Sequence, residues 1–240
     1  MTRTQKLILM ATLFIGAFFT CIHAVNRWYA AVQTAQLAQA PVTVVIDAGH
    51  GGEDGGASAH DGTKESQLNL EIAMRVRDLL ALAGVQTRMI RESDVAVYTG
   101  ECRTISEKKV SDLKSRVKMV TQTNHALLLS IHQNFFEQSK YHGAQVFYAK
   151  TDGSEQLAQG IQNALRAGVD PDNHRQIKQS RSVYLMEHVD CTAVLVECGF
   201  LSNPQEAERL KQGDYQRKLT AAICGALIVY LGEEGSTNEV

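Results

Sequence analysis

The chain has no basic excess: 24 Lys and Arg stand against 26 Asp and Glu, for a net charge of -2. Without surplus cations a polyphosphate backbone has little to bind, so no nucleic acid partner is expected. No CxxC pair and no zinc-ribbon spacing occur among Cys21, Cys102, Cys191, Cys198 and Cys224. An odd total in an exported chain argues against a fully paired set, so disulfides are not expected to hold this fold. No internal repeat is visible, and 240 residues leave room for one α/β domain with a sizeable core but not for a second.

What is present begins with an apolar run. Arg3 and Lys6 precede Leu7 to Val25, which is broken only by Gly16, Thr20 and His23. The run exceeds the roughly 7 to 15 residues of a signal-peptide core and approaches the roughly 18 to 20 that span a bilayer. Residues 1–25 are therefore predicted to be a signal peptide or, slightly favoured, an uncleaved membrane anchor. Charges ahead of the run keep the N-terminus inside and deliver the domain outside the cytoplasm, membrane-anchored or secreted. Ala38-Gln39-Ala40 is a competing cleavage signal, although the following Pro41 disfavours it. Residues 26–40, rich in Ala and Gln, read as a linker, and the folded domain is expected over 41–240.

Within that domain, strands alternate with helices. Val44-Val45-Ile46-Asp47-Ala48-Gly49-His50-Gly51-Gly52 reads as a buried strand ending in a tight turn that presents His50. Leu68, Ile72, Val76, Leu79 and Leu80 recur at helical steps, predicting a helix over 66–83 that stops at Gly84. A second strand is expected at 85–90, and a long loop or ragged helix start at 99–109. Leu113, Val117 and Val120 mark the next helix, and residues 126–134 a third buried strand ending near His132. Residues 143–149 suit an edge strand, 155–167 a helix, 168–182 a polar loop, and 183–186 a short strand. Thr192 to Glu197 is a strongly apolar strand, followed by helices at 206–212 and 215–231 and a polar tail. This alternation predicts a single α/β domain, with a twisted, mostly parallel sheet covered by helices on both faces.

His50, His132 and Glu197 all fall at strand ends, separated by 82 and 65 positions. A parallel sheet brings such ends to one edge, and Glu65 joins them from a helix start. Two imidazoles and one carboxylate with an open position form the ligand set of catalytic zinc. Zinc acidifies water and polarises a carbonyl, while a second carboxylate moves the proton. The residues alone do not decide which of Glu65 and Glu197 has which role. Each group taken singly has a plainer use, Glu65 as a helix-dipole partner and His50 as a capping residue. Cys198 is read as a small buried strand residue rather than a nucleophile.

VVIDAGHGG at 44–52, Lys64-Glu65, Leu129-Ser130-Ile131-His132-Gln133-Asn134 and Val196-Glu197-Cys198-Gly199-Phe200-Leu201-Ser202-Asn203 together resemble the zinc-dependent N-acetylmuramoyl-L-alanine amidases. The similarity runs from about Val42 to Leu231. It implies Zn2+ held by His50, Glu65 and His132, a catalytic carboxylate at Glu197, and a peptidoglycan substrate cut between the lactyl group of muramic acid and L-alanine. Ala48, Gln133 and Cys198 depart from residues common in the family, and none of them is a ligand. The single-domain layout is similar to the germination-type subgroup, which implies spore cortex peptidoglycan and peptide removal ahead of muramic-lactam formation. With no wall-binding module in the chain, an accessory protein partner is expected to help hold the substrate or order the metal site. The alternatives are a zinc exopeptidase, a catalytically silent wall-binding scaffold, and a cysteine hydrolase using Cys198.

Overall fold

A computed structural model describes residues 3–39 and 42–237. Helix α1 spans Arg3–Gln39, and its side chains at 6–9, 11, 13 and 28–39 lie outside the described residues. The expected export segment and linker fall partly there. Among the described residues, no helix is long and apolar enough to cross a membrane.

The domain then runs β1 (Thr43–Ala48), α2 (Glu65–Leu82), β2 (Gln86–Met89), α3 (Ile105–Thr121), β3 (Ala126–Asn134) and β4 (Gln145–Tyr148). It continues with α4 (Ser154–Gly168), β5 (Lys178–Gln179), α5 (Tyr184–His188), β6 (Ala193–Phe200), α6 (Pro204–Leu210) and α7 (Gly213–Thr237). The sheet order is β2-β1-β3-β6-β4-β5. Only the β4–β6 pairing is antiparallel. Parallel strands covered on both faces need apolar residues at successive positions. That is why β1, β3 and β6 read as unbroken aliphatic runs.

Alternate residues of those strands feed two cores. Val44, Ile46, Leu129, Ile131 and Val196 pack with Leu68 and Ile72 of α2, Ile161 of α4 and Leu227 of α7. Val45, Leu128 and Leu195 pack on the other face with Val120 of α3 and with Leu185 and Met186 of α5. A fully buried aliphatic side chain of this kind contributes about 1.5–3 kcal/mol, so truncating one would cost a large part of a domain's net stability.

Local signals set the helix ends. Gly84 at φ 80 closes α2 with paired bonds, from its N–H to Ala81 O at 3.0 Å and from Val85 N–H to Leu80 O at 3.0 Å. Thr104 and Glu107 form a capping box, so α3 starts at Ile105 inside the stretch read as loop or ragged helix.

Two expectations need correction. Residues 184–188 are helical rather than extended: β3 and β4 already flank β6, and α5 instead turns Leu185 and Met186 into the second core. Residues 232–237, read as a polar tail, continue α7. The remaining strand limits shift by a residue or two, and the 143–149 strand is covered on its outer side by β5.

Candidate active site

The site is built around the exit of β1. Asp47, the first acid after the aliphatic run, is buried and accepts from Arg116 Nη1 at 2.5 Å and Ser130 Oγ at 2.6 Å. Burial opposes its ionisation, but the Arg116 guanidinium, His132 and the Ser130 hydroxyl hold its carboxyl below the usual range. Arg116 also donates to the carbonyls of Ala48 at 3.0 Å and His50 at 2.7 Å. From the other side, Arg91 donates to Ala48 O at 2.8 Å, Gly49 O at 3.0 Å and Ser66 O at 2.8 Å. These two guanidinium groups satisfy carbonyls that the turn removes from the sheet ladder. They thereby hold His50 at φ 61, a conformation few non-glycine residues adopt.

Glu65, the first residue of α2, sits between the two imidazoles. Its Oε2 lies 3.3 Å from His50 Nε2 and its Oε1 lies 2.9 Å from His132 Nδ1. The carboxylate is fixed by backbone N–H groups of Ala57 at 2.9 Å and Gln133 at 3.2 Å, and by Asn69 Nδ2 at 3.3 Å. Burial works against its charge, but the bonds from His132 and His50 push it far below the usual carboxylate range. On the far side of His50, Nδ1 pairs with Asp54 Oδ2 at 3.0 Å. Burial disfavours the charged imidazole, yet Glu65 and Asp54 together raise it to about 8.

His50, Glu65 and His132 each offer a ligand atom, and all three atoms lie within 4.8 Å of one another. Two ligands each about 2.1 Å from a tetrahedral metal stand roughly 3.4 Å apart, a spacing that the span of this group accommodates. The donor set therefore fits a tetrahedral divalent metal. The backbone is shaped to the same end: a Cβ on Gly49 would lie 2.1 Å from His132 Nε2, and one on Gly56 would lie 2.6 Å from Glu65 Oε2. The side chains of His50 and His132 are 21% and 19% exposed, so the cluster is partly open to solvent.

Glu197 lies on β6 in register with His132 of β3 and with Gln145 of β4. Cross-strand partners share a face, so these three side chains form a row at the edge of the cluster. Burial pushes the Glu197 carboxyl up to about 7, with His132 and His50 opposing and Glu65 reinforcing the rise. Its Oε2 is buried without a hydrogen-bond partner among the described residues. A carboxylate so placed is suited to proton transfer near neutral pH.

All four residues singled out in the sequence thus converge, and no other histidine joins them: His23, His60, His125, His142, His174 and His188 are exposed. Cys198 is fully buried, and burial beside Glu197 pushes its thiol above the ordinary range, which rules it out as a nucleophile. Sequence reasoning missed Asp54, Asn69 and Arg116. Only Arg116 carried a signal, since it occupies the apolar stripe of α3 between Leu113 and Val120.

Comparison with known proteins agrees with this geometry. The profile of the N-acetylmuramoyl-L-alanine amidase family matches residues 44–229. The germination-specific N-acetylmuramoyl-L-alanine amidase of Bacillus subtilis is 38% identical over 197 residues, covering 82% of this chain and 82% of that protein. The CwlD amidase of Clostridioides difficile, solved in complex with the GerS lipoprotein, superposes with a TM-score of 0.76 at 40% identity, covering 79% of this chain and 98% of that one. A second N-acetylmuramoyl-L-alanine amidase, from Clostridium difficile 630, gives 0.69 at 28% identity over 80% of this chain and 98% of its own. With the family match spanning the whole sheet and the cluster at its edge, this chain belongs to the N-acetylmuramoyl-L-alanine amidases, hydrolases acting on peptidoglycan.

Proposed function

We propose that this chain is a zinc-dependent amidase that removes stem peptides from spore cortex peptidoglycan, with His50, Glu65 and His132 holding the metal and Glu197 as the catalytic carboxylate. The observation that carries the reading is the division of labour between the two glutamates. Both oxygens of Glu65 face an imidazole and accept backbone N–H groups, as a ligand's should. Glu197 faces the same cluster with a free oxygen and a carboxyl raised to about 7. When bound, zinc supplies the Lewis acidity that acidifies water and polarises the amide carbonyl.

The chain's own groups supply the rest. Asp54 orients the His50 ring through Nδ1. Asn69 ties Glu65 to the β1 turn by donating to Glu65 Oε1 and to Gly49 O. Glu197 takes the proton of the attacking water and delivers it to the departing nitrogen, leaving the lactyl carboxylate and a free L-alanine amine. Peptide removal of this kind is the step ahead of muramic-lactam formation in the spore cortex, and the likeness to a germination-specific amidase supports a place for this chain in the cortex.

The catalytic domain spans 41–240, with residues 1–25 as export signal or anchor and 26–40 as linker. Exposed Met10, Phe14, Ile15, Phe18 and Phe19 along one face and the next of α1 favour burial of this helix in lipid over contact with water. An accessory protein completes the assembly, as the GerS complex of the Clostridioides difficile relative suggests. The test is mass spectrometry of cortex muropeptides after digestion with the purified protein, with zinc added or chelated. Zinc-dependent release of peptides with free L-alanine amines supports the proposal; unchanged muropeptides from a zinc-loaded protein in the presence of its accessory partner would refute it.

A further inference from the structure

The row of side chains that begins with His132 and Glu197 continues through Gln145 to a cation that the reaction does not use. Arg175 Nη1 donates to Gln145 Oε1 at 3.2 Å, and its Nε donates to His142 O at 2.7 Å. Among the described residues no carboxylate pairs with this guanidinium, and its Nη2 makes no hydrogen bond. The nearest acid in its electrostatic surroundings, Glu206, is already committed to the backbone N–H groups of Gly143 at 2.9 Å and Phe200 at 2.8 Å.

The segment bearing Arg175 is held rigidly. Arg175 N donates to Asn173 Oδ1 at 3.0 Å, and Arg166 donates to Asn173 O at 2.8 Å and Arg175 O at 2.9 Å. Asn173 is buried and bonds in turn to Ala144 O at 2.8 Å, beside β4. The guanidinium itself lies over the Phe200 ring, 4.4 Å from its centroid. A cation fixed this way loses little freedom on binding an anion, and a planar guanidinium grips a carboxylate through two parallel hydrogen bonds.

We propose that Arg175 is a specificity-determining residue that binds a carboxylate on the peptide arm of the substrate. The identification of the substrate as a muramoyl peptide rests on the amidase reading above. Gln145 is in register with Glu197 on the neighbouring strand and its side chain accepts from Arg175 Nη1, so the cation stands one side chain beyond the row that carries the catalytic carboxylate. A substrate cut at Glu197 and extending along this row, at about 3.3–3.6 Å per residue, brings the first residues beyond the cleaved amide toward the guanidinium. The ligand class is thus an acidic stem peptide with its charge near the cleaved end.

The test is calorimetric binding to the full-length, zinc-loaded Glu197→Gln protein of two muramoyl peptides that differ only in a free carboxylate or a carboxamide at the second residue. The carboxylate form is expected to bind about 10- to 100-fold more tightly, the range of a charge-assisted hydrogen-bond pair. Adding Arg175→Gln collapses that ratio to near one, and Arg175→Lys, which keeps the charge and loses the fork, recovers part of it. An arginine serving only to brace Phe200 and His142 would weaken both ligands equally and leave the ratio as it was. A ratio near one in the Arg175-intact protein, or one that survives Arg175→Gln, overturns the proposal. Parallel digestion by the unsubstituted enzyme reports on the amidase reading separately, because the binding ratio is measured without turnover.

Discussion

Gly49→Ala isolates the geometry of the proposed metal site from the chemistry of its proposed ligands. The new Cβ would stand 2.1 Å from His132 Nε2, 2.2 Å from Cε1 and 2.7 Å from Cδ2, against the roughly 3.5 Å at which carbon atoms rest comfortably. The ring must therefore retreat by more than about 1 Å, whereas metal–ligand distances tolerate only about 0.2 Å. It also leaves its 2.9 Å contact with Glu65 Oε1. Gly49 does not lie in the left-handed region, so the backbone accepts alanine and the first damage falls on the His132 ring, which supplies the three nearest atoms.

Second-sphere losses of this type weaken metal binding about 10- to 100-fold, and displacement of a ligand belongs at or beyond the upper end. At a free zinc concentration about 100 times the Kd of the unsubstituted protein, metal stabilises that protein by about 2.7 kcal/mol. A variant binding about 100-fold more weakly gains only about 0.4 kcal/mol under the same conditions. Chelator-competition titration and thermal unfolding with and without zinc measure both quantities. Gly225→Ala, where an added Cβ meets nothing within 4 Å, serves as the control. A folded Gly49→Ala protein that binds zinc as tightly as its parent would refute the reasoning.

The remaining predictions separate roles. Glu197→Gln keeps zinc, by metal analysis, and loses about 10²- to 10⁴-fold in turnover, whereas His132→Ala and Glu65→Ala lose both metal and activity. Zinc lost from Glu197→Gln but kept in Glu65→Gln would reverse the assignment. Arg116→Met strands the buried Asp47 carboxylate and costs about 3–5 kcal/mol in urea unfolding; adding Asp47→Asn recovers part, and no loss in the single variant would dismiss the clamp. In the metal-free protein, Glu197 has a folded pKa of about 7 against an ordinary 4.5. Its folded form thus holds the proton more tightly, so its contribution is intact below about 4.5 and declines as pH rises to 7, by up to about 3 kcal/mol. Glu197→Gln is therefore expected to stabilise the metal-free protein at pH 8 and to change it little at pH 4.5; equal effects at both would show that Glu197 is solvated.

Where the sequence was legible, the reason was period and punctuation. The aliphatic runs of β1, β3 and β6 announced strands buried on both faces, and a chain of such strands separated by amphipathic helices admits little besides a parallel sheet. Gly84 marked the end of α2 through local bonds alone, whereas the Thr104–Glu107 capping box that opens α3 lay inside a stretch read as loop or ragged helix start. Residues 184–188 were misread because a short apolar segment has the same composition in a strand and in one helical turn, and only an occupied sheet edge decides between them.

His50, Glu65, His132 and Glu197 were visible as residue types at element ends, yet their spacing in the chain did not distinguish ligand from base. The two glutamates differ in their tertiary contacts: Glu65 is enclosed by both imidazoles and by backbone donors, while Glu197 has an oxygen buried without a partner among the described residues. Asp54, Asn69, Arg91 and Arg116, which hold the cluster, act across as many as 69 positions of chain. The apolar stripe of α3 makes Arg116 stand out but does not name Asp47 as its partner, because the partner's position is set by the packing of α3 and the crossing of strands rather than by its neighbours in the chain.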